Sequence, residues 1–406
     1  MVELATPASV TRASTPDAAI ARGAVTTSGN DALPALASVD VDRWQALAGD
    51  VCEPNGFYLP HWALAIDAFA RGRTGLSALM AWSDSSGSSR LIGLMPAISL
   101  WRASRIPLPA LVSAEAYGTV RTPLLDRTAA DEAAQELMRR ARDAGARALI
   151  LRDTPLDGAV MKTITRVLDA GGLRPAVLHS RLRACLDATR NADELLHDAL
   201  GAKKLKELRR QRHRLAEHGE VTFEVARTPD DVARALEVFL ELEAGGWKGG
   251  RGTALLQSDG DAAFIRRAAR LLAGHNQCEI ATLSAGTAPV ATAIIVRHQD
   301  RAFYFKLGVD ERFAKLSPGV QLTLDLTRHF CADPAIAAVD SLAAPDHPMI
   351  NPIWRGRLMI GDVLIPLARH DPMVVLIHAA LIVRQAIRAP ARRAVHLIRK
   401  LAAKRR

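Results

Sequence analysis

The stretch RAFYFKLGVDERFAKLSPGVQLTLDLTRHF, residues 301–330, decides the fold. Its opening alternates as a β-strand does, with Phe303, Phe305 and Leu307 expected on one face and Tyr304 and Lys306 on the other. A Ser317-Pro318-Gly319 turn then runs into a helical pattern. Pro318 suits a first turn. Val320, Leu322, Leu324, Leu326 and Phe330 cover most of the helix, which should therefore pack against the sheet, leaving a polar stripe of Gln321, Asp325 and Arg328. A helix start leaves amide N–H groups unsatisfied and concentrates about half a positive charge. Two readings of the turn follow. Ser317 is a plain cap, or the amides seat a diphosphate, with Gly319 permitting close approach and Arg312 and Lys315 adding charge.

Upstream, CEIATLSAG (278–286) and APVATAIIVRHQ (288–299) complete an antiparallel meander with the 301–310 strand. VTFEVAR (221–227) is a strand, and a Thr228-capped helix and a helix over 261–275 follow it. AIAAVDSL (335–342) is a further strand. The first half has the same order. Helices are expected over 40–50 and from Pro60, strands over 76–84 and 90–101, a helix over 128–145, a strand over 146–153, a helix over 156–172, and a strand pair or one long strand over 173–187. The pattern predicts a duplicated α/β unit around a helical segment whose centre, KKLKELRRQRHR (203–214), carries a single acid, Glu207. The expected organisation is a disordered leader over 1–36, an N-terminal unit over 37–190, a basic linking helix over 191–219, a C-terminal unit over 220–366 and a basic amphipathic tail over 367–406.

The formal charge of +10 is concentrated at the end of the chain, where residues 372–406 hold nine Lys/Arg and no acid. A high pI confined to a tail is weak evidence for nucleic-acid binding by the body. The apolar run MVVLIHAALIV (373–383) is shorter than the ~20 residues that span a bilayer, but beside those cations it suits an anionic membrane surface. Cys52, Cys185, Cys278 and Cys331 are scattered without metal spacing, and the histidines form no HxH or HExxH group. A reduced, cytoplasmic setting without a metal is expected, with peripheral contact at the inner membrane face.

Taken in order, KKLKELRRQRHRLAEHGEVTFEV (203–225), ELEAGGWKGG (241–250), the 301–326 run and the VDSL strand (339–342) resemble the CelD-type acetyltransferases associated with cellulose biosynthesis, within the GNAT superfamily. The resemblance implies an α/β fold of α+β type: tandem GNAT units with mixed, largely antiparallel sheets flanked by helices, as in Fem-type transferases. It also implies acetyl-CoA or another acyl-CoA as donor. The chain departs from the usual Gln/Arg-x-x-Gly-x-Gly/Ala phosphate loop, having Leu316-Ser317-Pro318-Gly319-Val320 there.

Acyl transfer needs a base for the acceptor proton and an acid for the leaving thiolate. Tyr304 is the candidate acid, and Asp310 or Glu243 the candidate base. Lys306, Arg312, Lys315, Ser317, Gly319 and Val320 are candidates for the donor's phosphates and arm. Trp247 and Lys248, in a glycine-rich stretch, are candidates for the acceptor. Each also has a bland role: Tyr304 in packing, Asp310 in a turn, Glu243 on a solvated helix face, Trp247 anchoring its loop. The expected activity is acyl-CoA-dependent transfer to a sugar or exopolysaccharide precursor of the cell envelope. The alternatives are an aminoacyl-tRNA-dependent transferase or a non-catalytic assembly factor at the membrane surface.

Overall fold

The computed structural model describes residues 33–70, 72–83, 89–114, 117 and 119–387, apart from the side chains of Trp247 and Lys248. Nearly all of the expected leader and the basic end at 388–406 lie outside the described residues.

The first half runs α1 (Val41–Gly49), α2 (Pro60–Phe69), β1 (Ser77–Ser83), β2 (Arg90–Ser99), α3 (Leu100–Ser104), β3 (Ala110–Ser113), β4 (Leu124–Leu125), α4 (Ala130–Asp143), β5 (Ala148–Pro155), α5 (Ala159–Ala170) and β6 (Ala176–Asp187). Then come α6 (Ala192–Ala216), β7 (Val221–Ala226), α7 (Pro229–Gly245), α8 (Trp247–Gly250), α9 (Asp259–Ala273), β8 (Cys278–Ala285), β9 (Ala288–His298) and β10 (Arg301–Val309). The chain continues through α10 (Pro318–Ala332), β11 (Ala338–Asp340), α11 (Ile350–Ile353) and β12 (Gly356–Pro366), and a last helix, α12, covers 372–387. Local chemistry sets several starts. Asp40 accepts from the Arg43 amide and Thr228 from the Asp231 amide, and Pro60, Pro229 and Pro318 open their helices.

The strands form one mostly antiparallel sheet ordered β1-β2-β3-β5-β12-β6-β11-β10-β9-β8-β7, with β4 on β2. Helices flank it, giving the mixed, largely antiparallel α/β architecture expected. β12, from the end of the chain, lies between β5 and β6 and pairs with both. β6 is a single strand of 12 residues because it serves β12 along its length and β11 at its end. Each half thus completes its sheet with the other's strand. Two glycines admit β12: a Cβ at Gly356 would lie 2.7 Å from the Cys185 carbonyl, and one at Gly361 2.7 Å from that of His179.

The halves also share a core. Phe57 and Trp62 of the first half pack edge-on against Phe303, Phe264 and Phe305 of the second. On the opposite side of the sheet Tyr304, Leu322, Phe330 and Trp354 pack with Leu208 and Leu215 of α6. The pattern over 191–219 predicts an unbroken helix, but Gly201, at φ 71° and ψ 162°, breaks α6. Beyond the break Leu208 and Leu215 are buried while Lys203, Lys204, Lys206, Arg209 and Arg210 face solvent. The predicted polar stripe of α10 meets this helix. Gln321 donates to the Leu208 carbonyl at 2.8 Å and Asp325 pairs with Arg212 at 2.7 Å.

Candidate functional site

β10 and β11 are parallel but pair only from Arg301↔Ala338 to Phe303↔Asp340, after which β10 continues to Val309 paired with β9 only. This parting of parallel strands is the crevice where open α/β sheets take ligands. The site residues expected from sequence are distributed around it.

Strict alternation fails in β10. Its register with β9 shifts between Tyr304 and Lys306, a bulge at Phe305. Phe303 and Phe305 both face the α7 side, and the extra residue turns Lys306 to that side as well. There its Nζ lies 2.9 Å from Oε1 of Glu243 on α7. Lys306 therefore does not share a face with Tyr304. The Glu243 carboxylate is enclosed rather than solvated. Its other oxygen accepts from the Leu255 amide at 2.9 Å, and Gly308 lets the α7 backbone lie against β10. Lys306 is partly exposed and stands between this carboxylate and solvent.

Tyr304 points the other way, into the core beside Trp354. Its hydroxyl lies 3.4 Å from Thr323 Oγ1, which itself donates to the Gly319 carbonyl. Burial raises the phenol's pKa, and only partly offset by Thr323, so it remains a neutral donor. Asp310 is engaged by its neighbour. Its carboxylate accepts from the Arg312 amide and guanidinium, and those hydrogen bonds hold it below the usual carboxylate range. Asp310 and Arg312 thus form one unit, as do Glu243 and Lys306. Trp247 and Lys248 lie on α8, directly after α7.

At the α10 start Ser317 is not a cap. It sits in the left-handed region at φ 53° and ψ 50°, and its side chain makes no capping bond to the helix. Lys315 is exposed just before it. An uncapped helix start beside an exposed cation fits a diphosphate. Gly319 serves a different need from the one expected. It is buried, and a Cβ there would lie 3.0 Å from Leu307, 3.2 Å from Val309 and 3.4 Å from Met349, so the glycine admits these side chains to the helix. Val320 is half-buried at the next position.

Residues 202–347 match the family model of the acetyltransferase (GNAT) domain. The match begins one residue after the Gly201 break and takes in the parted strands, α7 and the α10 turn. A domain of this kind supports a transferase. Among solved structures the chain resembles FemX, with 13% identity and a TM-score of 0.54, covering 84% of this chain and 98% of that one. It also resembles L-PGS from Bacillus licheniformis, at 12% identity and TM-score 0.50, covering 84% and 97%. The C-terminal domain of a putative lysylphosphatidylglycerol synthetase from Agrobacterium fabrum matches at 14% and 0.50, covering 84% and 95%. At these identities the likeness is one of fold. No curated protein matches the sequence.

Sequence reasoning missed the groups at the seam between the halves. Arg183 of β6 pairs with Asp340, the last residue of β11, at 3.1 Å, and donates to the Thr119 carbonyl. The only available signal was an aspartate set in an apolar strand, AAVDSL. His298 of β9 reaches the first half, where its Nδ1 accepts from the Asn55 amide at 2.8 Å and its Nε2–H donates to the Ala48 carbonyl at 2.7 Å.

Proposed function

We propose that this protein transfers an acyl group from acyl-CoA, acetyl-CoA in the simplest case, to an amine or hydroxyl on a sugar or other precursor of the cell envelope. The observation that carries the reading is the bulge at Phe305, which brings Lys306 onto buried Glu243 beside the parting of β10 and β11. The acceptor's N–H or O–H attacks the thioester carbonyl. Lys306 passes its ammonium proton to Glu243 and takes the acceptor's; the C–S bond of the tetrahedral adduct then breaks, and the thiolate is protonated from solvent as the thiol. The Gly319 and Val320 amides, with Lys315 and Arg312, hold the donor's diphosphate, and α8 with Trp247 and Lys248 borders the acceptor. Tyr304 shapes the floor through Thr323 and Gly319, and Asp310 orients Arg312.

A second reading is favoured by the fold likeness to FemX and to a lysylphosphatidylglycerol synthetase, whose name denotes an aminoacyl ester of a membrane lipid. In that case the donor is an aminoacyl-tRNA and the exposed basic face of α6 meets it. The CelD-type, cellulose-linked assignment rests on the sequence resemblance.

Peripheral contact with an anionic membrane is part of the proposal. α12 buries Ile377 and packs Met373, Val374 and Leu381 beside it, yet exposes Val375, Leu376, Ile382, Val383 and Ile387 along another stripe, directly before the Lys/Arg-rich 388–406. Among the described residues no helix is long and apolar enough to cross a membrane.

The test is thiol release from a panel of acyl-CoAs with amino-sugar and lipid-linked acceptors, in parallel with transfer from charged tRNA. Wild type should release CoA, and Glu243→Gln should lower kcat by about 10²–10³ with little change in KM. Transfer from charged tRNA alone would overturn the CoA donor in favour of the second reading.

A further inference from the structure

A second pair of parallel strands parts in the first half. β3 and β5 are in register only from Ala110↔Ala148 to Val112↔Ile150. At their carboxyl ends a group of arginines collects. Arg152, the next residue of β5 on the same face as buried Ile150, donates its amide to Ser113 Oγ at 3.0 Å and its Nη2 to Ser104 Oγ at 2.7 Å. Arg384 of α12 donates to the same Ser104 hydroxyl at 2.8 Å. Arg121 and Arg181 both reach the Asp153 carboxylate, the former at 3.3 Å. Asp153 itself is held at φ +48°, uncommon for a non-glycine residue inside a strand, with its amide on Asp362 Oδ1 at 3.0 Å.

The charges do not balance. Among the described residues the carboxylates of this group are Asp153 and Asp362, facing Arg121, Arg152 and Arg181, with Arg384 alongside. Arg152 is engaged by serine hydroxyls, which satisfy hydrogen bonds but supply no negative charge. Burial and the charge of nearby Arg121 both oppose its protonated form. The Nε of Arg121 is buried without a hydrogen-bond partner. Holding guanidinium groups together in this way is costly unless an anion joins them. The group is still reachable, because the Arg121 and Arg181 side chains keep 15% and 22% of their exposure.

We propose that the carboxyl end of the β3–β5 pair is an anion site for a phosphoryl group, gripped by the forks of Arg121, Arg181 and Arg152. Its position, at a strand pair separated from β10 and β11 by β12 and β6, makes it a site for a phosphorylated acceptor or a phospholipid headgroup rather than for the donor. Its existence does not depend on which donor is used.

The test is calorimetric titration of the full chain with inorganic pyrophosphate, with glycerol 1-phosphate, and with sodium chloride matched in ionic strength. Wild type should bind at least one of the two phosphates, and Arg121→Gln/Arg181→Gln should weaken it by about tenfold or more, with Arg121→Lys between. Tighter pyrophosphate identifies a soluble diphosphate, and tighter glycerol phosphate a headgroup. If the double variant misfolds, phenylglyoxal labelling of wild type supplies the readout, with pyrophosphate or glycerol phosphate protecting Arg121 and Arg181. No heat beyond the chloride control and no protection, or equal affinity in the folded double variant, would overturn the site.

Discussion

The Arg183–Asp340 pair ties the two halves at the seam where β6 meets β11, and its replacement gives a prediction with a calculable size. Both side chains are almost wholly enclosed, at 1% and 2% exposure. Asp340→Asn is the informative change. The amide keeps an oxygen for the Leu342 N–H, which Asp340 Oδ1 now accepts at 2.8 Å, and removes only the charge. Arg183 would then keep one long hydrogen bond, 3.4 Å to the Thr119 carbonyl, while its Nε already lacks a partner. Leaving one partner of a buried pair uncompensated costs about 3–5 kcal/mol. That is a fifth or more of the ~5–15 kcal/mol that holds a typical domain folded. Arg183→Met should cost a similar amount, and the double variant much less than the sum of the singles. Urea unfolding followed by tryptophan fluorescence measures all four proteins. A loss below about 1 kcal/mol in Asp340→Asn at unchanged slope, or simple additivity in the double variant, would show that the pair does not hold the seam.

Two further outcomes follow from other contacts between the halves and from the last helix. Burial holds the pKa of His298 below its ordinary 6.5, against its hydrogen bond to the Ala48 carbonyl and with Arg301 and Asp300 nearby. The unfolded chain takes up a proton below ~6.5 that the folded chain refuses, so this contribution is present above that pH and is lost as the pH falls, by up to about 1.4 kcal/mol per unit. Thermal melts between pH 7.5 and 5 should show the slope, and His298→Gln should flatten it. Val375→Asp/Ile382→Asp should reduce co-sedimentation with phosphatidylglycerol vesicles by about tenfold or more while leaving Tm nearly unchanged, since both residues are exposed. Equal sedimentation of wild type and variant would remove α12 from the membrane contact.

Periodicity and capping carried most of the elements. The meander 278–309, the helix after Pro318 and the Thr228-capped helix were legible because each is specified by residues close in sequence, and so was the order of elements around the basic segment. The polar stripe Gln321, Asp325 and Arg328 was legible too, though not its partner, α6. Glu243, Lys306, Asp310 and Arg312 are all candidates named from the sequence. Their grouping into a Glu243–Lys306 pair and an Asp310–Arg312 pair was not legible, because one bulged residue reverses a face and nothing local announces a bulge in FYFKLG. Strand β12 escaped altogether. GRLMIGDVLIP reads as part of the second unit, but its partners are β5 and β6, and pairing at such separation is settled by which sheet has a gap of the right width rather than by the strand's own residues. The sequence by itself determined most of the elements and the candidate polar groups. Only the tertiary structure decided which of those groups touch and that each half is closed by the other's strand, because those contacts depend on where distant segments are brought together.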